Sequence, residues 1–143
     1  MKRTLTAFAI LLAGSAQAWT FTEATVCTLS HSEGPTTVTV VFDPAARLYA
    51  ITLTTADVWD DSPTFRLRFD GPGALTIGTD QHVLSEDRRS LSVTDTGFGN
   101  VLAGIGGNQQ MTALNGTQTV SVSTIGAADP LAAFVACPSP KTS

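Results

Sequence analysis

Residues 117–137 read TQTVSVSTIGAADPLAAFVAC, and this stretch near the C-terminal end decides how the chain folds. Its first half alternates, with Val120 and Val122 on one side and hydroxyl side chains on the other. Such a period of two predicts a half-buried strand. Gly126 then ends the alternation, and the residues that follow have the period of a helix.

Asp129 and Pro130 predict where this helix begins, because Asp can cap free N–H groups and Pro fits the first helical turn. We therefore expect a short helix from about Asp129 to Ala136. Its apolar stripe is formed by residues at positions i, i+3 and i+4, which are Leu131, Phe134 and Val135. The helix ends at Cys137.

The chain has two cysteines, Cys27 and Cys137, near the two ends of the folded region. Two cysteines in an exported chain indicate a disulfide. Closing so long a loop stabilises a fold by about 4 kcal/mol in the chain-entropy model. We expect this bond to attach the C-terminal helix to the first strand, while two buried free thiols are the alternative.

The first residues have the features of an export signal. Lys2 and Arg3 form a positive start, Phe8–Ala13 an apolar core, and Ala16-Gln17-Ala18 a cleavage sequence. The sequence thus predicts a signal peptide over residues 1–18, one β-rich domain over 19–137 and a disordered tail over 138–143. No segment reaches the length of about 20 apolar residues that a membrane span needs. The predicted location is the periplasm or the exterior.

The charge of the chain excludes one class of partner. Without Lys2 and Arg3, six of the eight basic residues remain against twelve acidic ones, a formal charge of −6. A surface of this sign repels phosphate backbones, so we expect no nucleic acid as partner.

Short alternating segments separated by turns fill the rest of the chain. They predict a mainly β fold, an antiparallel β-sandwich or small barrel of roughly seven to eight strands, with the short C-terminal helix at one end. Asn100 is expected to cap a helical turn that ends at Gly106-Gly107. The expected strands cover residues 19–31, 37–42, 48–55, 64–70, 75–84, 90–94, 110–114 and 117–123.

Asp95-Thr96-Gly97 matches the signature of aspartic proteases. That chemistry needs two carboxyl groups that share a proton, with the Asp at the end of a strand. In retropepsin-like domains, which the motif resembles, the Asp lies early in the domain, whereas here 48 residues follow. An Asp that forms a turn explains the motif equally well. A hydrolase using Asp95 is therefore the second alternative, and the chain is not expected to be an enzyme.

Metal and cofactor chemistry find no support in the sequence. His31 and His82 are the only histidines, and neither has a neighbour at metal-ligand spacing. We interpret both as ordinary surface or strand-edge residues. No metal site and no cofactor are predicted.

An acidic loop is the candidate partner-binding surface. Asp57, Trp59, Asp60 and Asp61 lie between two predicted strands. An exposed Trp could anchor a partner. The alternative is that the ring of Trp59 folds back over the end of the barrel, in a solvated loop.

A resemblance covers nearly all of the chain after residue 18. The residues that carry it are Trp19, Val26-Cys27-Thr28-Leu29, Phe42-Asp43-Pro44, Leu48-Tyr49, the stretch 95–102 (DTGFGNVL) and the ending 133–137 (AFVAC). Together they resemble short uncharacterised exported proteins of Rhodobacter-like alphaproteobacteria, a group that implies export but no activity. Such chains sometimes carry the name of an excinuclease ABC component, a role at odds with the absence of a phosphate-binding loop and of a basic patch. The closing strand-Gly-helix is also similar to invasion-associated locus B proteins, which are periplasmic.

Two further functions compete with the hydrolase. The first prediction is a non-enzymatic binding or accessory module, whose partner is another envelope protein. The alternative is an inhibitor of an envelope-attacking enzyme such as lysozyme, because an acidic loop complements a basic cleft.

Overall fold

The computed structural model describes residues 18–137. The predicted signal peptide and the predicted tail lie outside these residues, apart from Ala18. Across the described residues the chain forms ten strands and two helices. They are β1 (Thr20–Glu23), β2 (Cys27–Glu33), β3 (Thr36–Asp43), β4 (Leu48–Thr54), β5 (Phe65–Asp70), β6 (Leu75–Thr79), β7 (Val83–Leu84), β8 (Ser90–Asp95), α1 (Gly99–Gly106), β9 (Gln110–Asn115), β10 (Gln118–Ser123) and α2 (Ala128–Ala136).

The strands form two antiparallel sheets. One has six strands in the order β1-β2-β3-β4-β8-β7, and the other has four in the order β10-β9-β5-β6. The two sheets form a sandwich-like arrangement, with a short helix at the C-terminal end. The predicted fold class is confirmed.

The structure has two strands more than the sequence predicts. The expected first strand is two strands, β1 and β2, which pair as a hairpin from Thr20↔Ser30 to Glu23↔Cys27. The tight turn at 24–26 was missed because it contains no Gly, Pro, Asn or Asp. The expected strand over 75–84 also divides, because the chain leaves β6 in one sheet and joins the other sheet as β7.

Alternation along the strands builds the core. In β5, Phe65, Leu67 and Phe69 are buried while Arg66 and Arg68 are exposed. In β3, every second residue from Thr36 to Phe42 is buried. The two inner faces meet in one cluster of buried apolar side chains, as a sandwich requires.

Both helices begin one or more residues away from the predicted caps. The residue before α1 is Phe98, so Asn100 lies inside the helix and does not cap it. The residue before α2 is Ala127, and Asp129 lies in the first turn without a capping bond. Val135, expected on the apolar face of α2, is 55% exposed, whereas Phe134 is buried.

Close contacts at two glycines position α1. A Cβ added to Gly104 would lie 2.4 Å from the ring of Phe69, and one added to Gly106 would lie 2.6 Å from the side chain of Leu131. Phe69 belongs to β5 and Leu131 to α2. The small residues therefore let α1 lie directly against both elements.

The predicted disulfide is confirmed. Cys27 at the start of β2 is bonded to Cys137 after α2, with their Cα atoms 6.4 Å apart. The bond attaches the C-terminal helix to the six-stranded sheet. Neither α1 nor α2, the helices of the described residues, has the length and apolar character that a membrane crossing needs.

Candidate functional site

A concave site with apolar walls lies where the two sheets are open at one side. It is bounded by β6, which is the edge strand of its sheet, and by β8, of which the short edge strand β7 covers only Leu91 and Ser92. We call this site the edge cleft, and its volume is about 420 Å³. Its apolar walls are Ile51 and Val93 from one sheet, Phe65, Leu67 and Ile77 from the other, and Phe98 and Val101 at the start of α1.

The sequence around the end of β8 shapes this cleft. Val93 lies opposite Ile51 in the neighbouring strand, and both line the cleft. The chain then leaves the sheet at Asp95 and turns into α1. The ring of Phe98 is buried and stacks on Tyr49 at a centroid distance of 5.5 Å. This contact holds the start of α1 against β4, where Tyr49 lies opposite Asp95 at the end of β8.

Polar groups and glycines complete the lining of the cleft. The polar side chains are those of Thr79, Asp95 and Asn100. Three glycines, Gly78, Gly97 and Gly99, also line it. At Gly97 and Gly99 an added Cβ would meet no atom within 4 Å, and neither of these two has a positive φ. The backbone of the fold therefore does not require glycine at these two positions.

Asp95 is the one carboxylate among the residues that line the cleft. Its Oδ1 accepts a hydrogen bond from the amide of Thr96 at 2.6 Å and from the hydroxyl of Thr96 at 3.4 Å. Proton sharing of the aspartic-protease type needs two carboxyl groups, and the lining supplies one. Both hydrogen bonds come from the residue directly after Asp95, whereas the Asp of an Asx turn bonds an amide two residues on.

The structure contradicts one of the two interpretations of the acidic loop between β4 and β5. Trp59 is fully buried, and its Nε1 donates to the carbonyl of Leu53 at 3.2 Å. Its ring also contacts Phe65 edge-on. The interpretation of Trp59 as an exposed anchor is wrong, because the indole completes the core instead. Asp57, Asp60 and Asp61 are exposed, and their role in binding a partner stays a prediction.

Side chains from other parts of the chain hold the main chain of this loop. Arg88 donates to the carbonyl of Trp59 at 2.8 Å, and Asn115 donates to that of Asp60 at 2.5 Å. Gln118 accepts from the amide of Asp60 at 2.9 Å. These bonds hold the main chain of the loop at Trp59 and Asp60, and the exposed carboxylates project from it.

Both histidines make contacts that contribute to the fold. His31 is buried, contrary to our interpretation, and stacks on Trp19 at a centroid distance of 4.8 Å. His82 makes a 2.8 Å hydrogen bond with the carbonyl of Ser62. Among residues 18–137 no group of three or more His, Cys, Asp or Glu side chains lies close enough to hold a metal ion.

Glu33 joins the two sheets beside His31. Its Oε1 lies 3.0 Å from Nε2 of His31 and accepts from the amide of Ser123 at 2.7 Å. Partial burial raises the pKa of Glu33, but the hydrogen bonds from His31 and Ser123 outweigh burial and hold this pKa below its ordinary value. The indole of Trp19 donates to the carbonyl of Ser123 at 2.9 Å. This network connects β2 and Trp19, the residue before β1, to the end of β10.

Comparisons with protein-family models, curated proteins and solved structures give no match to this chain. The site must therefore be interpreted from its own geometry, and the resemblance to exported alphaproteobacterial proteins stays a prediction.

Proposed function

We propose that the chain is an exported, non-enzymatic binding module whose ligand occupies the edge cleft. One observation carries this proposal: an apolar cleft of about 420 Å³ with few polar groups in its lining. Small-molecule sites are concave, mostly apolar and about 300–1,000 Å³ in volume, with a few polar groups that orient the ligand. The edge cleft has each of these properties.

Binding fits the chemistry of the cleft better than catalysis does. Its polar side chains are one carboxylate, one hydroxyl and one amide. The carboxylate of Asp95 makes its hydrogen bonds with the next residue, Thr96. No lining residue is placed to act as its catalytic partner, so we assign these groups to orienting a ligand.

Export is supported by the bonded pair Cys27–Cys137 and by the predicted signal peptide. Mass spectrometry of the secreted or periplasmic form tests this part of the proposal. We expect the chain to begin at Trp19. A form that retains residues 1–18, or one that stays in the cytoplasm, contradicts export.

A titration followed by amide NMR tests the binding site. With 2-phenylethanol as probe, we expect saturable shifts of amides at Ile77, Val93 and Gly99. Val93→Phe fills part of the cleft and should abolish these shifts. Val135→Phe makes the same substitution at an exposed position of α2, and it should leave the shifts intact. Shifts elsewhere, or equal binding by both variants, would refute the cleft as the site.

The held acidic loop favours a second candidate function, inhibition of a lysozyme. Asp57, Asp60 and Asp61 present three exposed carboxylates, and a surface of this charge complements a basic cleft. A cell-wall lysis assay tests this candidate. We expect Asp60→Asn/Asp61→Asn to weaken inhibition, whereas Glu86→Gln, an exposed acid in another loop, should not. Unimpaired lysis in the presence of the native protein rejects the candidate.

A further inference from the structure

The lining of the edge cleft also defines a class of ligand. We propose that the cleft binds a small organic cation, with an apolar body between the two sheets and an ammonium or guanidinium head at Asp95. This inference rests on the proposed function and adds the chemistry of the ligand to it.

The first argument for a cationic ligand is the charge of the cleft lining. Asp95 is the one charged side chain among the lining residues. In β5, which supplies Phe65 and Leu67 to the lining, Arg66 and Arg68 alternate outward and are exposed. The stem of Arg66 lies beside Gly78 of the lining, but Arg66 does not itself line the cleft. The lining therefore carries one negative charge and no positive one, so a cationic head is favoured over an anionic head.

The orientation of Asp95 carries the second step. Thr96 donates its amide and its hydroxyl to Oδ1 of Asp95. These bonds fix the carboxylate, and among the described residues Oδ2 takes part in no hydrogen bond that we observe. An ordered carboxylate with one available oxygen binds a donor at little entropic cost.

The walls and the glycines carry the third step. The rings of Phe65 and Phe98 and the side chain of Ile77 supply apolar surface to the cleft. The space around Gly97 and Gly99 is open. Glycine often marks a place where a ligand approaches the main chain. A ligand with one apolar end and one cationic end thus meets matching chemistry at both ends.

Three probes that share one apolar body test this inference. They are 2-phenylethylammonium, 2-phenylethanol and 3-phenylpropionate, titrated at low ionic strength by amide NMR. We expect the cation to bind about two- to fivefold more tightly than the alcohol, which is the range for an exposed ion pair. The carboxylate should bind most weakly. Added salt should reduce the preference for the cation.

Two variants assign this preference to Asp95. Asp95→Asn keeps the shape of the side chain and removes its charge, so the three dissociation constants should converge. Glu86→Gln makes the same change of net charge at an exposed residue that does not line the cleft, and the preference should persist. Retention of the preference in Asp95→Asn overturns the inference.

The alcohol separates this inference from the proposed function. If the alcohol and the cation bind equally well in the cleft, the cation preference is refuted while the binding module stands. If none of the three probes binds in the cleft, the proposed function fails and the inference fails with it.

Discussion

Substitution of Gly104 by Ala tests how α1 is positioned. In an exposed helix this change stabilises by about 1 kcal/mol, because Ala is the better helix former. Here the new Cβ would lie 2.4–2.6 Å from three ring atoms of Phe69. Phe69 is fully buried in β5, so its ring has no free space to enter. We therefore expect the opposite sign.

The expected magnitude follows from these two opposing effects. Overpacking a core costs about 1–3 kcal/mol, and a contact this short with a buried ring belongs at the upper end. Subtracting about 1 kcal/mol for helix propensity leaves a net loss of about 2 kcal/mol. For a domain of this size, that corresponds to a melting temperature lower by roughly 8 °C.

Urea denaturation of the native protein, Gly104→Ala and Gly106→Ala measures this effect. At Gly106 the clash is with the end of the Leu131 side chain, which can move, so the cost should be smaller. Phe69→Leu removes the ring, and the double variant with Gly104→Ala should lose less stability than the sum of the single variants. A Gly104→Ala protein as stable as the native one refutes this packing argument.

Three further predictions concern the disulfide, the pH dependence and the buried indole. Replacing Cys27 and Cys137 together by Ser should lower the free energy of unfolding by about 2–5 kcal/mol in urea denaturation, and an unchanged midpoint would contradict this. Glu33→Gln should cost less than about 1 kcal/mol at pH 7, because the carboxylate is partly exposed. The folded state lowers the pKa of Glu33, so this contribution to stability is complete above the ordinary value of 4.5 and disappears as the pH falls below it. A stability difference between the native protein and Glu33→Gln that stays constant from pH 7 to pH 3 would contradict this pH dependence. Trp59→Phe removes the buried hydrogen bond to Leu53 and leaves a void, so thermal unfolding should show a loss of about 1–3 kcal/mol in the free energy of unfolding. An unchanged melting temperature would show that the indole is not required.

Local patterns predicted most of the sheets because a half-buried strand repeats every two residues. The sequence patterns mispredict residues whose positions depend on tertiary contacts. Asn115-Gly116 predicts a hairpin, and the hairpin forms, but Asn115 pairs with Gln118, so the turn residues are Gly116-Thr117. The side chain of Asn115 binds the carbonyl of Asp60 instead. A sequence pattern cannot show a partner 55 residues away.

The edge cleft was not predictable in the same way. Its walls come from four strands and one helix, and Ile51, Phe65 and Val101 are ordinary core residues in the sequence. The sequence indicates a possible role for Asp95 only through a protease motif, and not through the cleft. Only the relative position of the two sheet edges reveals that these residues surround one space.

The bond between Cys27 and Cys137 also constrains how the protein is made. The two residues are 110 positions apart, so on the export route that we propose, Cys27 emerges long before its partner and must remain unpaired until the end of the chain arrives. A chain with two cysteines has one possible internal pairing, and an oxidant alone is sufficient without isomerisation. The possible incorrect product is a disulfide between the Cys27 residues of two chains, formed before the C-terminal segment of either chain has arrived. Covalent dimers should therefore accumulate when synthesis outpaces secretion, and their amount should reflect the rate of export rather than the stability of the fold.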